Sequence, residues 1–263
     1  MKTYRNIEFE IQDSVGTLWL NRPEVHNALN AEMIGEIIDF FSSISEYPDA
    51  RVILLRGRGK SFCAGADLNY MKGIAEFGFE ENYQDSLKLA KCFNVIYTCP
   101  KPTIAVVHGA AIGGGNGLLA SCDMIYCDHE TKFAFSEVKL GIAPATISPY
   151  VIKRIGESGA RDLMITGRRF LGAEAEKYRL VNKSLAAEEL DEYLAKIIKQ
   201  LMTSGPDAMS ACKRLIYDVA NELTFEDSID YTAKMIAELR ASDEGQEGMA
   251  SFLEKRKPNW VKN

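Results

Sequence analysis

Ser61-Phe62-Cys63-Ala64-Gly65-Ala66-Asp67-Leu68 is the stretch on which the fold of this chain turns. It follows the apolar run Val-Ile-Leu-Leu at 52–55 and precedes residues with helical spacing at 67–75, so it joins a buried strand to a helix start. Its small side chains let another group approach the main chain. The first N–H groups of a helix have no partner inside it, and the peptide dipoles sum to a positive end there, which favours an oxygen gathering negative charge. Taken alone, the octapeptide serves equally well as a tight strand-to-helix turn capped by Asp67.

A second stretch, Gly109-Ala110-Ala111-Ile112-Gly113-Gly114-Gly115-Asn116-Gly117, repeats the arrangement behind the strand Thr103–Val107. Four glycines in the five positions 113–117 are costly in any ordered element, so close backbone approach or unusual dihedrals must require them. Tight packing of a helix on a sheet is the alternative. Two such helix starts on neighbouring strands can converge on one oxygen, the geometry of an oxyanion hole. Competing motifs fail: Gly59-Lys60-Ser61 imitates the end of a P-loop but would need its first glycine at Leu54, inside a strand. Gly115-Asn116-Gly117-Leu118-Leu119-Ala120 fits the loose dinucleotide pattern, yet the next strand, at 124–127, comes too soon for a full crossover helix.

Outward from these turns, Ile7–Gln12 and Val15–Leu20 read as an opening hairpin around Asp13-Ser14. Asn30 reads as the N-cap of an amphipathic helix carrying Met33, Ile34, Ile37, Ile38 and Phe41, and a further helix covers 82–97. Strand, loop and helix alternate, which is the signature of an α/β fold. After Pro149 the pattern changes to successive amphipathic helices, broken near 156–159, 167–172 and 204–206, and the last quarter reads as all helical.

The 263 residues, 46% hydrophobic and 26% charged, suit a globular protein that buries its own core. A formal charge of -6 argues against nucleic acid as a main partner, while Lys60, Lys255, Arg256 and Lys257 supply local positive charge for an anionic ligand. The polar start and the absence of an 18-residue apolar run lead us to expect a cytoplasmic protein with no membrane partner. Six scattered cysteines suit reduced thiols in a core. His26, His108 and His129 show no metal-ligand spacing and read as core or edge packing, as do Tyr70, Met71, Tyr83 and Tyr150.

From Asn21-Arg22-Pro23 to Phe252-Leu253-Glu254-Lys255-Arg256, the chain resembles the crotonase (enoyl-CoA hydratase/isomerase) superfamily, the paired glycine motifs being the specific part. The resemblance implies an α/β spiral of strand-strand-helix repeats over residues 1–200 and a C-terminal helical oligomerisation region over 201–263, forming a homotrimer or a hexamer. It implies an acyl-CoA thioester as substrate, coenzyme A being part of that substrate, with no cofactor bound covalently; no metal is expected, from the spacing of the histidines and cysteines. The thioester oxygen would be held by the backbone N–H groups of Ala66 and Gly114, with Glu137, in Phe135-Ser136-Glu137-Val138, moving the proton. Ala28, Ala64, Asp67 and Leu68 would line the path of the coenzyme, and Phe252 and Lys255 would touch it from a neighbouring subunit. A carboxyl in an apolar acyl pocket is expected to have a raised pKa, which suits a group that takes and returns a proton.

Many hydratases of that family carry another glutamate at the position matched here by Gly117, and the resemblance therefore leaves a gap opposite Glu137. A lone carboxylate at the Glu137 position is similar to certain Δ3,Δ2-enoyl-CoA isomerases. The run from Ser136 to Tyr150 and Ala66-Asp67-Leu68-Asn69-Tyr70-Met71 instead resemble the bacterial methylglutaconyl-CoA hydratase-like branch. Hydration of a short or branched 2-enoyl-CoA is the expectation, with isomerase, decarboxylase, thioesterase and a non-catalytic acyl-CoA-binding protein as alternatives.

Overall fold

A computed structural model describes residues 2–261, so Met1, Lys262 and Asn263, at the ends of the two expected regions, lie outside it. The chain divides into one compact unit of Met1–Cys99 and Thr103–Glu192 and another of Pro100–Pro102 and Tyr193–Asn263.

The first unit opens with β1 (Ile7–Gln12) and β2 (Val15–Leu20), an antiparallel hairpin whose turn residues Asp13 and Ser14 both have positive φ. Helix α1 (Ala31–Ser42) is capped by the Asn30 side chain, which accepts the Met33 N–H, and buries Met33, Ile34, Ile37, Phe40 and Phe41. Then come β3 (Val52–Gly57), α2 (Leu68–Ile74), α3 (Phe79–Tyr97), β4 (Thr103–Val107), β5 (Ala110–Ile112) and α4 (Gly114–Ala120). After them follow β6 (Met124–Asp128), β7 (Lys132–Ala134), α5 (Ser148–Thr166), β8 (Arg169–Leu171), α6 (Gly172–Lys177) and β9 (Lys183–Leu185). The division between the units falls within α7 (Ala187–Thr203). The second unit continues with α8 (Pro206–Asn221), α9 (Phe225–Ala241) and α10 (Asp243–Leu253).

Strands β1-β2-β3-β4-β6-β9 form one sheet, parallel from β2 onward, and β5-β7-β8 form a smaller one. Residues of β3 and β4 are almost continuously buried, as expected of parallel strands covered on both faces. Because β3 and β4 are hydrogen-bonded neighbours running the same way, the turns that leave their C-terminal ends are neighbours too. That topology sets the two glycine-rich stretches side by side.

The chain after Pro149 is not purely helical. β8 and β9 are three-residue strands, too short for an alternation signal, and their places are fixed by pairing with β7 and β6. Likewise β5 lies inside the second glycine-rich stretch, where Ala110-Ala111-Ile112 pairs with β7. Helix α3 begins at Phe79 rather than at 82, because the Glu81 carboxylate accepts the Gly78 N–H and closes the first turn there. The break near Gly156 is a kink in α5, where that glycine takes φ +69°.

Candidate active site

Segment 61–67 is held from both sides by backbone hydrogen bonds. On one side Ala64 donates to His26 O at 3.0 Å, Leu29 to Gly65 O at 2.7 Å and Asp67 to Leu29 O at 2.9 Å. On the other, Phe62 donates to His108 O, Cys63 to Ala110 O and Ile112 to Cys63 O, each at 3.0 Å. The parallel bridge between Leu29 and Ala66 uses the groups flanking Ala66, so the Ala66 N–H is turned away from Leu29. Among the described residues it donates to no backbone carbonyl, and neither does the N–H of Gly114, the first residue of α4.

Contact distances explain the glycines. Gly113 takes φ +50°, and a Cβ on Gly115 would stand 2.7 Å from the Cys63 carbonyl oxygen. One on Gly65, itself at φ +98°, would meet the Ile112 carbonyl oxygen at 3.1 Å, and one on Gly114 would meet Leu29 Cδ1 at 3.1 Å. The two turns are therefore in van der Waals contact, with Leu29 shared between Ala66 and Gly114. Both close packing and unusual dihedrals are at work.

Glu137 reaches the same place from the 3₁₀ turn Ser136–Leu140, which follows β7. Its Oε1 lies 3.4 Å from where a Gly113 Cβ would be, so a larger residue at 113 would crowd the carboxylate. Its Oε2 is buried and has no hydrogen-bond partner. Burial pushes the Glu137 carboxyl above its ordinary value, and a bond from its own backbone N–H only partly opposes this. The carboxyl is thus poised to accept or release a proton.

Around these groups, Ala28 and Cys63 are buried, and the Cys63 thiol is pushed up to about 12 by burial, which makes it inert packing rather than a nucleophile. Ala64 and Leu68 are exposed on the first unit, Leu68 by 75%. Asp67 is buried, and its carboxylate is fully engaged: Oδ1 accepts the N–H groups of Asn69 and Tyr70, capping α2, and Oδ2 accepts Arg22 Nη2 at 2.7 Å. Burial alone would raise the Asp67 carboxyl, but Arg22 and the two N–H donors outweigh it and hold it below its usual range. Phe252 and Lys255 lie in the second unit at the exposed end of α10, Lys255 with φ +55°.

Gly117 does not leave a gap. A Cβ there would meet Phe93 Cζ at 2.5 Å and Ile147 Cγ2 at 2.6 Å, so two apolar side chains fill the space that a second carboxylate would need. Residues the sequence reading passed over include Asn116, fully buried, whose Nδ2 donates to Ala134 O while its Oδ1 has no partner. Ala134 O also receives the Gly113 N–H, so one carbonyl pins both the α4 start and Asn116. A buried amide is recognisable from sequence only as an asparagine inside an otherwise apolar helix.

The remaining assignments divide. Tyr150 packs against Phe93 and Tyr97, and Tyr70 packs on the core while donating to Asp85, but Tyr83 stacks on Phe79 in the open and is not a core residue. Five cysteines are buried; Cys212 is exposed, contrary to the core placement expected for all six. His26 bonds Ser61 and His129 bonds Ser184 at the surface, while His108 bonds the Gly59 carbonyl. No group of acids, histidines and cysteines among the described residues is arranged to hold a metal ion, and no described helix is long and apolar enough to cross a membrane. Two hollows of about 260 and 330 Å³, one beside Trp260 in the second unit and one beside Tyr47 in the first, carry none of these groups.

A family model for enoyl-CoA hydratase/isomerase matches residues 10–263. A crotonyl-CoA hydratase of Syntrophomonas wolfei is 33% identical, with 98% of each chain covered. A peroxisomal Δ(3,5)-Δ(2,4)-dienoyl-CoA isomerase of Arabidopsis thaliana is 32% identical over 100% of this chain and 99% of its own. The crystal structure of an enoyl-CoA hydratase from Shewanella pealeana superposes with a TM-score of 0.93 at 35% identity, covering 97% of this chain and 96% of that one.

Proposed function

The chain belongs to the enoyl-CoA hydratase/isomerase family, and from that premise we propose that it hydrates a short or branched 2-enoyl-CoA, methylglutaconyl-CoA being the model substrate. What supports the reading is that two N–H groups without a backbone acceptor, on Ala66 and Gly114, lie on turns in van der Waals contact, with the half-buried, proton-poised carboxyl of Glu137 beside Gly113.

The thioester oxygen accepts both N–H groups, and charge that develops on it is stabilised by donors already in place; losing one such donor typically costs about 10²–10³ in rate. Glu137 takes a proton from water as the hydroxyl oxygen bonds to Cβ. The Cα–Cβ π electrons move to give an enolate on the held oxygen. Glu137 then returns its proton to Cα, and the carboxylate is regenerated. One carboxyl suffices because it both removes and restores the proton. Coenzyme A enters as part of the substrate, passing Ala28, Ala64, Asp67 and Leu68, while Phe252 and Lys255 of a neighbouring subunit touch it in a trimer or hexamer.

The packing of Phe93 and Ile147 over Gly117 favours a second reading, Δ3,Δ2-enoyl-CoA isomerisation, in which Glu137 moves a proton from Cα to Cγ and no water is needed. Separate incubation with crotonyl-CoA, 3-methylglutaconyl-CoA and a 3-enoyl-CoA decides between them. Hydration removes the 2-enoyl absorbance and adds the mass of water; isomerisation of the 3-enoyl-CoA raises that absorbance at constant mass. Binding of all three without conversion would overturn both.

A further inference from the structure

Arg22 has no part in the proton transfers above, yet its side chain is only 15% exposed and both terminal nitrogens are engaged. Nη1 donates to the Ala28 carbonyl at 2.5 Å and Nη2 to Asp67 Oδ2 at 2.7 Å. Its own N–H is fixed by Asn27 Oδ1 at 2.8 Å, and the Asn27 side chain, fully buried, donates in turn to the carbonyls of Arg58 and Ser61. Both partners of the guanidinium lie next to the Leu29–Ala66 bridge, Ala28 preceding one member and Asp67 following the other. A planar fork that spans two acceptors fixes their separation and relative angle in a way one ammonium cannot. The peptide between Gly65 and Ala66 is thus held at its far end by Leu29 and, one residue on, by Arg22 through Asp67.

We propose that Arg22 is a positioning residue for the substrate carbonyl: by clamping Ala28 O to the Asp67 carboxylate it sets the direction in which the Ala66 N–H is offered. The inference rests on the reading that this N–H receives the thioester oxygen. Its consequence is a loss of polarisation of bound thioester, and of turnover, out of proportion to any loss of affinity. A small misdirection of a reacting group costs up to about 10² in rate.

The test uses the full-length enzyme with the saturated, non-reacting thioester [1-¹³C]butanoyl-CoA and infrared difference spectroscopy of its C=O stretch. In the wild type the band shifts to lower frequency on binding. Arg22→Met should lose most of that shift and lower kcat by about 10- to 100-fold with KM changed less than about threefold. Arg22→Lys should recover only part of both. Asp67→Asn, which keeps the Oδ1 cap of α2 while removing the charge that Arg22 grips, should move the band the same way, and it answers the question if Arg22→Met does not fold. Full retention of the band shift and of kcat in Arg22→Met, or in Asp67→Asn, overturns the proposal. Absence of any shift in the wild type sinks the underlying oxyanion reading instead.

Discussion

Glu137 is the proton carrier of the proposed reaction, and its buried, unpartnered Oε2 gives two measurable consequences. General acid–base groups contribute about 10²–10⁴ in rate, so Glu137→Gln is expected to lower kcat by that factor on whichever enoyl-CoA turns over, with the fold intact by circular dichroism. The second consequence is in stability. The folded-state carboxyl binds its proton more tightly than the ordinary value of 4.5, so its contribution is full below that value and lost as pH rises through the raised one. The amide that replaces it in the variant cannot ionise. In urea titrations at a series of pH values, Glu137→Gln should therefore gain on the wild type from about pH 4.5 upward and then level off; a difference that stays flat with pH would contradict the burial effect. Glu137 itself is recognisable only by its place in a motif, since a single glutamate after a strand is normally a solvated residue.

The start of α4 concentrates the constraints of the site in one short helix, and the glycines that mark it are legible in the sequence as a demand for close approach. What they approach is not. Gly115 backs onto the Cys63 carbonyl and Gly117 onto Phe93 and Ile147, contacts between positions so far apart in the chain that no local pattern encodes them. Gly115→Ala should force α4 off segment 61–67 and lower kcat about tenfold by separating the two N–H donors, with the loss read in steady-state kinetics. Gly117→Glu should not improve hydration: the added side chain must displace Phe93 and Ile147, an overpacking that costs about 1–3 kcal/mol and lowers Tm. A variant that hydrates crotonyl-CoA faster with unchanged Tm would show that the core there yields. The hairpin, the Asn30 cap and the strands β3 and β4 are readable because periodicity and capping are local signals, whereas the three-residue strands β5, β7, β8 and β9 exist only through their partners.

Across the whole chain, the second unit leaves apolar side chains uncovered. Phe225, 89% exposed, and Ile229, 64% exposed, stand one turn apart on α9, and Phe252 and Leu253 are exposed at the end of α10. Exposed apolar groups of this size and spacing are what the proposed association between subunits would cover. Light scattering is expected to give three or six times the 29.3 kDa chain mass, and Phe225→Asp with Ile229→Asp to give a smaller particle. Lys255→Glu should raise KM for acyl-CoA without lowering kcat if that residue meets the coenzyme of a neighbour. The distribution of sulfur has a practical outcome of its own. Five thiols are sealed in the interior and Cys212, on α8, is not, so Ellman's reagent should titrate one equivalent in the native protein and six in guanidinium chloride. The unmodified chain therefore comes with a single attachment point for a fluorophore, on a helix remote in sequence from every residue assigned to catalysis.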